Sequence, residues 1–503
     1  MVRVDETQRE TVQQLPVPET LERLSKAQRV WALAPLLDRL GMIKRFRHLI
    51  AEEAEQLASL VELPQRSGIV ETLAAEVMPL ADACRYLERN ATKLLSPKHA
   101  SASDRPAWGR GLRVQTHRDP LGKVMVIGTW NYPIFLTCVQ TIQAIVAGNA
   151  VLLKPGDGTT AVTKQFVEML FRSGVSRHLI EVLPEDPQLA QEAIDVGGVD
   201  KVVFTGSVAT GRKVLAQLAK TNTPSVMELS GNDAVFVLPD ADLERAARCV
   251  AFGLRMNGSS TCIAPRRVFV PHHQIENFKA QLLKHVDASY HPVHPKAGEL
   301  AARLVSSAKE SGANLLCPTQ WNGWNSDEGF PQTVLQFESA DHELLQSDLF
   351  APVTSLISVR DAEEALSLDA LCPYALGATV FGPTSEATQF ATRVKAGCVT
   401  INDMIAPTAD PRVAFGGRGA SGFGVTRGAE GLLEMTQVKT IVTQTSGWLP
   451  HLDRPVPELA DLLLGMIRMN HSETWSKKLD AVRGLMDSGR AYWNATKKNR
   501  ERD

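Results

Sequence analysis

The sequence predicts an α/β protein built on a Rossmann-type, doubly wound parallel sheet, followed in the chain by a second α/β region. Three observations carry this expectation. From about residue 112 onward, short β-branched or apolar runs alternate with segments of helical period. The 503 residues exceed one ordinary domain, so two or three cores are expected. Apolar residues make up 44% and charged residues 22%, the balance of a chain that folds throughout rather than one that stays disordered.

Residues 20–95 place Leu37, Leu40, Ile43 and Phe46, then Leu73, Val77 and Leu80, at helical spacing and read as a helical lead-in. The stretch SPKHASASDRP reads as a loop. Short segments from Leu112 end in an apolar strand at 124–127, and further strands are expected at 150–153, 180–183, 201–204 and 225–229. Another follows at 234–238, then a helix over 242–256 and the segment GSSTCIAP. The second α/β region runs to about Thr436, with strands near Val268, Leu356, Ala378 and Val399. From Trp448 a proline-bearing linker, LPHLDRPVPE, leads to one or two amphipathic helices and the basic end KKNRERD.

With 54 basic and 56 acidic residues the net charge is −2, which leaves no electrostatic footprint for nucleic acid. The seven cysteines, Cys84, Cys138, Cys249, Cys262, Cys317, Cys372 and Cys398, form no Cys-x-x-Cys pair, so no metal site is expected and reduced thiols in a cytoplasmic setting are. The opening MVRVDETQRE has no apolar signal core. The longest apolar stretch, 459–469, is short and broken by Asp461 and Arg468. A soluble chain is expected, with peripheral membrane contact left open.

Chemistry concentrates at strand ends. Cys262 follows small polar residues in MNGSSTCIAP, and Glu228 closes a predicted strand in MELSGND. A nucleophilic thiol with a nearby carboxylate base is what acyl transfer needs. Asn131 lies just past the strand at 124–127, at the carboxyl edge where ligand sites gather in open α/β folds. Residues 204–211 run strand, Thr-Gly-Ser, Val-Ala-Thr-Gly, helix: Gly206 permits close backbone approach, Ser207 can donate to a phosphate, and Gly211 opens the helix whose N-terminus faces it.

GTWNYP, LLKPGD, FTGSVATG, MELSGND, NGSSTCIAP and LFAP occur in this order, and over residues 112–440 the chain resembles the aldehyde dehydrogenase superfamily. The wording of GTWNYPIFLTCVQTIQAIVAGNAVLLKP is similar to the class 3 branch, which handles medium- and long-chain or aromatic aldehydes. The resemblance implies an aldehyde dehydrogenase-like fold: a helical part of the cofactor domain over 1–111, a Rossmann-like NAD-binding domain over 112–230, a catalytic domain over 231–435, a bridging strand over 436–450 and a helical extension over 451–503. It implies that Cys262 attacks an aldehyde, that Asn131 and the Cys262 amide hold the oxyanion, and that Glu228 activates the water that releases the acid. Lys154 and Asp157 would hold the adenosine ribose, Asp157 favouring NAD with NADP still possible. Gly206, Ser207 and Gly211 would receive the pyrophosphate, Asp348 the nicotinamide ribose and Phe350 the nicotinamide. Trp130 is expected in the substrate tunnel.

Departures are visible. Asp348-Leu349-Phe350-Ala351-Pro352 stands where the family has Glu-x-Phe-Gly-Pro, and Ser230 replaces a glycine. The glycines of AFGGRGASGFG, 414–424, read as structural. The expected activity is NAD(P)-dependent oxidation of an aldehyde to the acid. The alternatives are reduction of an acyl-CoA or acyl-phosphate on the same thiol, or a silent scaffold of the same fold. Glu228 favours hydrolysis, because acylating relatives commonly lack it. Residues 113–118 and 440–443 resemble bridging elements and imply a homodimer or homotetramer.

Overall fold

The computed structural model describes residues 16–500 apart from 107, 108, 110, 288, 322, 448 and 453, so MVRVDETQRE, Trp448 and the last three residues of KKNRERD lie outside the described residues. Two compact units emerge, one running to Ser96 and from His117 to Lys439, the other Pro97–Thr116 with the chain from Thr440 onward.

In the larger unit β1 (Lys123–Ile127), β2 (Ala150–Lys154), β3 (Ile180–Val182), β4 (Lys201–Gly206) and β5 (Ser225–Leu229) form a parallel sheet in the order β5-β4-β1-β2-β3. Strands buried on both faces read as continuous apolar runs, as Val124–Ile127 and Val151–Leu153 do. The chain reverses direction across the sheet between β1 and β4, which opens a crevice at their carboxyl ends. Register lines those ends up: Ile127 lies level with Lys154 and Phe204, and Thr205 level with Glu228. The predicted lead-in is helical, with Val17–Ala32, Leu36–Glu52 and Met78–Leu95 sharing one core with this sheet through Leu24, Phe46 and Leu80.

The second sheet has seven strands: β6 (Asp233–Val237), β7 (Pro265–Pro271), β8 (Asn314–Cys317), β9 (Thr333–Phe337), β10 (Val353–Val359), β11 (Gly377–Phe381) and β12 (Cys398–Ile401), in the order β8-β9-β10-β7-β6-β11-β12. The strands predicted near Val268, Leu356, Ala378 and Val399 are β7, β10, β11 and β12. β8 and β9 were not foreseen. β9 is buried along most of its length and shows no alternation, and β8 is a four-residue antiparallel edge with an irregular register between Leu315 and Cys317. The helix expected over 242–256 is Leu243–Arg255, started by Asp242, whose carboxylate accepts from the Arg245 amide at 3.0 Å.

In the smaller unit the expected loop at SPKHASASDRP contains a short strand, Lys98–His99, paired antiparallel with Gln115 and Thr116. The tail forms two helices, Glu458–His471 and Trp475–Arg500, that pack on each other. No helix among the described residues is long and apolar enough to cross a membrane.

Candidate active site

The crevice at the end of β1 is where Asn131 sits, 5% exposed. Its amide orientation follows from its partners: Nδ2 donates to the Ser260 carbonyl at 2.9 Å, so Oδ1 receives the Thr129 hydroxyl at 2.7 Å. The second N–H of the amide is not used by these bonds. Through Ser260, this bond ties the loop after β1 to the loop that carries Cys262.

That second loop has an unusual backbone. Asn257, Gly258 and Ser259 take positive φ values of 50°, 57° and 60°, two of them without glycine's freedom. Such geometry persists where the surroundings over-determine it. Asn257 Nδ2 donates to the carbonyls of Asn131 at 3.0 Å and Ser260 at 3.2 Å. From the other side the fully buried Arg266 donates to the Ser259 hydroxyl at 2.9 Å, to its carbonyl at 2.7 Å, and to the carbonyl of Ala351. Arg266 thereby buckles the cysteine loop to the departing late motif, and the extra methyl of Ala351 is accommodated with no exposure. Burial pulls the Arg266 pKa down to about 10, with Asp348 and Asp233 acting the other way.

Cys262 is half-buried, as are Cys249 and Cys398; company rather than exposure sets it apart. Burial pushes its thiol well above the ordinary range, Glu228 and Asp233 push further, and Arg427 and its own amide N–H pull back.

Glu228 ends β5 at 2% exposure. Its Oε2 lies 2.9 Å from the Thr426 hydroxyl, which also reaches the Phe415 carbonyl at 3.2 Å, while Oε1 has no hydrogen-bond partner in the protein. Burial raises its pKa; Arg427 and Thr426 oppose the rise. Arg427 is itself buried, with its guanidinium 4.2 Å above the Phe415 ring and Nη1 donating to the Thr408 carbonyl at 2.8 Å. The glycine-rich stretch pairs along the edge beside this carboxylate, Gly422 level with Glu228. Its glycines are structural; the residues of consequence, Thr426 and Arg427, lie just beyond it.

Of the predicted dinucleotide residues, Lys154, Gly206 and Ser207 stand at or just past the carboxyl ends of β2 and β4, whereas Asp348 and Phe350 lie between β9 and β10 of the second sheet. Lys154 closes β2 with Nζ 3.4 Å from the exposed Asp157 carboxylate. A Cβ on Gly206 would lie 2.7 Å from the tip of the Phe204 ring, so a larger residue there requires that ring to shift. Ser207 is the N-cap of helix Val208–Thr221, its Oγ accepting from the Thr210 amide at 3.3 Å, which starts the helix toward the crevice. Gly211 has a different place: its Cβ would meet Leu229 at 2.6 Å, so it lets the helix pack closely on the sheet. Asp348 keeps Oδ1 buried without a protein partner, and burial pushes its carboxyl up to about 6 against the Ser230 hydroxyl and Arg266. The buried Asp348 Oδ1, without a protein partner, and the N-terminus of helix Val208–Thr221 just past β4 fit a dinucleotide. Trp130 stands 6.1 Å from the Phe350 ring and 6.4 Å from His294, centroid to centroid.

The Aldehyde dehydrogenase family model matches residues 6–441. A Pseudomonas aeruginosa protein named "Probable coniferyl aldehyde dehydrogenase" is 30% identical over 450 residues, covering 84% of this chain and 91% of that one. Among solved structures, a Mycobacterium tuberculosis aldehyde dehydrogenase complexed with NAD+ superposes with a TM-score of 0.78 at 23% identity, covering 87% and 92% of the two chains. A Bacillus halodurans NADP-dependent glyceraldehyde-3-phosphate dehydrogenase complexed with NADP does so with a TM-score of 0.75 at 24% identity, covering 86% and 91%.

Proposed function

This chain belongs to the aldehyde dehydrogenase family and is an NAD(P)-dependent aldehyde dehydrogenase, and from that premise we propose that it oxidises an apolar, medium- or long-chain or aromatic aldehyde to the free acid with NAD favoured. The observation that carries the hydrolytic outcome is Glu228: a buried carboxylate with one oxygen held by Thr426 and the other free of the protein. Product release to coenzyme A would not require it.

Cys262 loses its proton to solvent and, as the thiolate, attacks the aldehyde carbon; the new C–S bond puts the carbonyl electron pair on oxygen, held by Asn131 Nδ2 and the Cys262 amide, and loss of hydride from that carbon to the cofactor would leave the thioester. Lys154, Asp157, Gly206, Ser207, Asp348 and Phe350 would hold the dinucleotide, which when bound supplies a nicotinamide that accepts hydride. Glu228 then takes a proton from water as that water adds to the thioester. Collapse of the adduct breaks the C–S bond, the leaving sulfur takes up the proton held by Glu228, and the free acid departs.

A panel of aldehydes of graded chain length, assayed with NAD and NADP in parallel, tests the reading. Rates rising with apolar length or aromatic character are expected; a preference for short, charged aldehydes overturns it. Removing the Asp157 charge in Asp157→Ser should move the NADP-to-NAD ratio of kcat/KM up by roughly tenfold, since that carboxylate repels a 2′-phosphate.

Asp348→Asn is expected to raise the NAD KM by about tenfold, the loss of one charge-assisted acceptor. Because the wild-type carboxyl is pushed up to about 6 and accepts ribose hydroxyls more strongly as the carboxylate than as the neutral acid, NAD affinity should weaken as pH drops through that value and stay flat in the variant. An unaltered KM would place Asp348 outside the cofactor site.

We also propose that the chain forms a homodimer or homotetramer, a reading supported by the exposed Val438, Ile441 and Val442 on strand Thr436–Gln444. All seven cysteines are free, which favours a reducing compartment such as the cytoplasm.

A further inference from the structure

The helix entering Met78–Leu95 is not regular. Ile69–Thr72 is α-helical, Leu73–Val77 is a π-turn, and the α-helix resumes at Met78. Pro79 cannot donate to a preceding carbonyl and crowds the turn before it, and a widened turn relieves that conflict. Such bulges often mark functional positions. Here the π-turn carries Glu76, whose side chain is 0% exposed, inward against Arg66, 2% exposed, at 2.7 Å.

The other side-chain hydrogen bonds of this pair go to residues 131–135, while Arg66 Nε and Nη1 are buried without a partner. Glu76 Oε2 accepts from the amides of Ile134 at 2.7 Å and Phe135 at 3.1 Å, capping helix Phe135–Ala147 at its first residues. Arg66 Nη2 donates to the Asn131 carbonyl at 2.8 Å, and its guanidinium lies 4.8 Å from the centre of the Tyr132 ring. Residues 131, 132, 134 and 135 are thus gripped from one side. The same segment reaches the cysteine loop: Glu71 accepts from the Ser67 amide at 2.8 Å and from the Asn257 amide, and Asn257 shares the Asn131 carbonyl with Arg66.

We infer that the Arg66–Glu76 ion pair is a positioning device for the reaction: it fixes the backbone on both sides of Asn131, and through it the oxyanion-donating amide relative to Cys262. The inference rests on the proposed role of Asn131. An ion pair suits this task because its two partners satisfy three main-chain groups at once, which no apolar pair of similar volume does. Displacement of a catalytic group by about 1 Å costs on the order of 100-fold in rate.

The test compares Glu76→Gln, Arg66→Met and the double variant R66M/E76Q in the full chain. In the double variant both charges go together while a carbonyl oxygen stays near Ile134 and Phe135, so it remains interpretable if a single variant fails to fold. Expected are a drop in kcat/KM of roughly 100-fold, NAD binding by calorimetry within about threefold of wild type, and alkylation of Cys262 by iodoacetamide within about twofold, because alkylation forms no oxyanion. In an Asn131→Ala background the further cost of Glu76→Gln should shrink to less than about threefold. Wild-type turnover in R66M/E76Q, or effects of Glu76→Gln and Asn131→Ala that simply multiply, overturns the inference. If Asn131→Ala alone leaves turnover intact, the oxyanion reading has failed and takes the positioning role with it.

Discussion

Cys262→Ala is expected to lower aldehyde oxidation by roughly 10,000-fold or more while NAD binding, measured by calorimetry, stays within about twofold. The size of the loss follows from the absence of a substitute. Cys84, Cys138, Cys317 and Cys372 are buried, and Cys249 and Cys398, though half-exposed, have neither the Asn131 amide nor the Glu228 carboxylate for company. Cys249→Ala and Cys398→Ala therefore serve as controls that should retain most activity. Retention of NAD binding follows from geometry too, because the loop is shaped by Asn257, Ser259 and Arg266 rather than by the sulfur. In the cofactor-free protein the thiol is held protonated by burial and by Glu228 and Asp233, so iodoacetamide should label Cys262 slowly at neutral pH and faster as pH rises toward the thiolate. Dehydrogenase activity surviving in Cys262→Ala would remove the sulfur from the reaction.

The sites that the sequence disclosed share one property: Asn131, Lys154, Ser207 and Glu228 each stand at or just beyond the carboxyl end of a strand, where local pattern alone announces a ligand edge. The strands of the first sheet were legible for the same local reason. What stayed hidden was anything defined by distant partners. Arg66 in a connecting segment and Glu76 in a helix look like solvated charges until the fold brings them together against residues 131–135. Arg427 reads as an ordinary basic residue after a glycine-rich stretch, and its burial between Phe135, Phe415 and Glu228 depends on chain segments far apart in sequence. Gly211 looked like part of a phosphate loop because spacing cannot distinguish a glycine facing a ligand from one facing Leu229. The late-motif departure is a partial case: Asp348 was visible as a shortened acid, but the tie from the Ala351 carbonyl to Arg266 was not.

Glu228→Gln should separate the two halves of the reaction. Asn131, Cys262 and the hydride-accepting cofactor are untouched, so a burst of NADH equal to the enzyme concentration is expected, followed by steady turnover lowered by roughly 100- to 10,000-fold, the contribution of a positioned general base. Mass spectrometry of the quenched protein should show the acyl group on Cys262; a free thiol with slow turnover would move Glu228 to the acylation step instead. The pH dependence carries an independent sign. Glu228 works only when ionised, and burial raises its pKa, so deacylation should fall away as pH drops through a value above the usual carboxylate range of about 4.3. Thr426→Val removes a hydroxyl that favours the ionised form and should shift this acid limb to still higher pH, whereas an unmoved limb would mean that another group controls it. The raised pKa also suits the chemistry, because a base that binds its proton more firmly takes it from water more readily, and Oε1, free of protein partners, is the oxygen placed to do so.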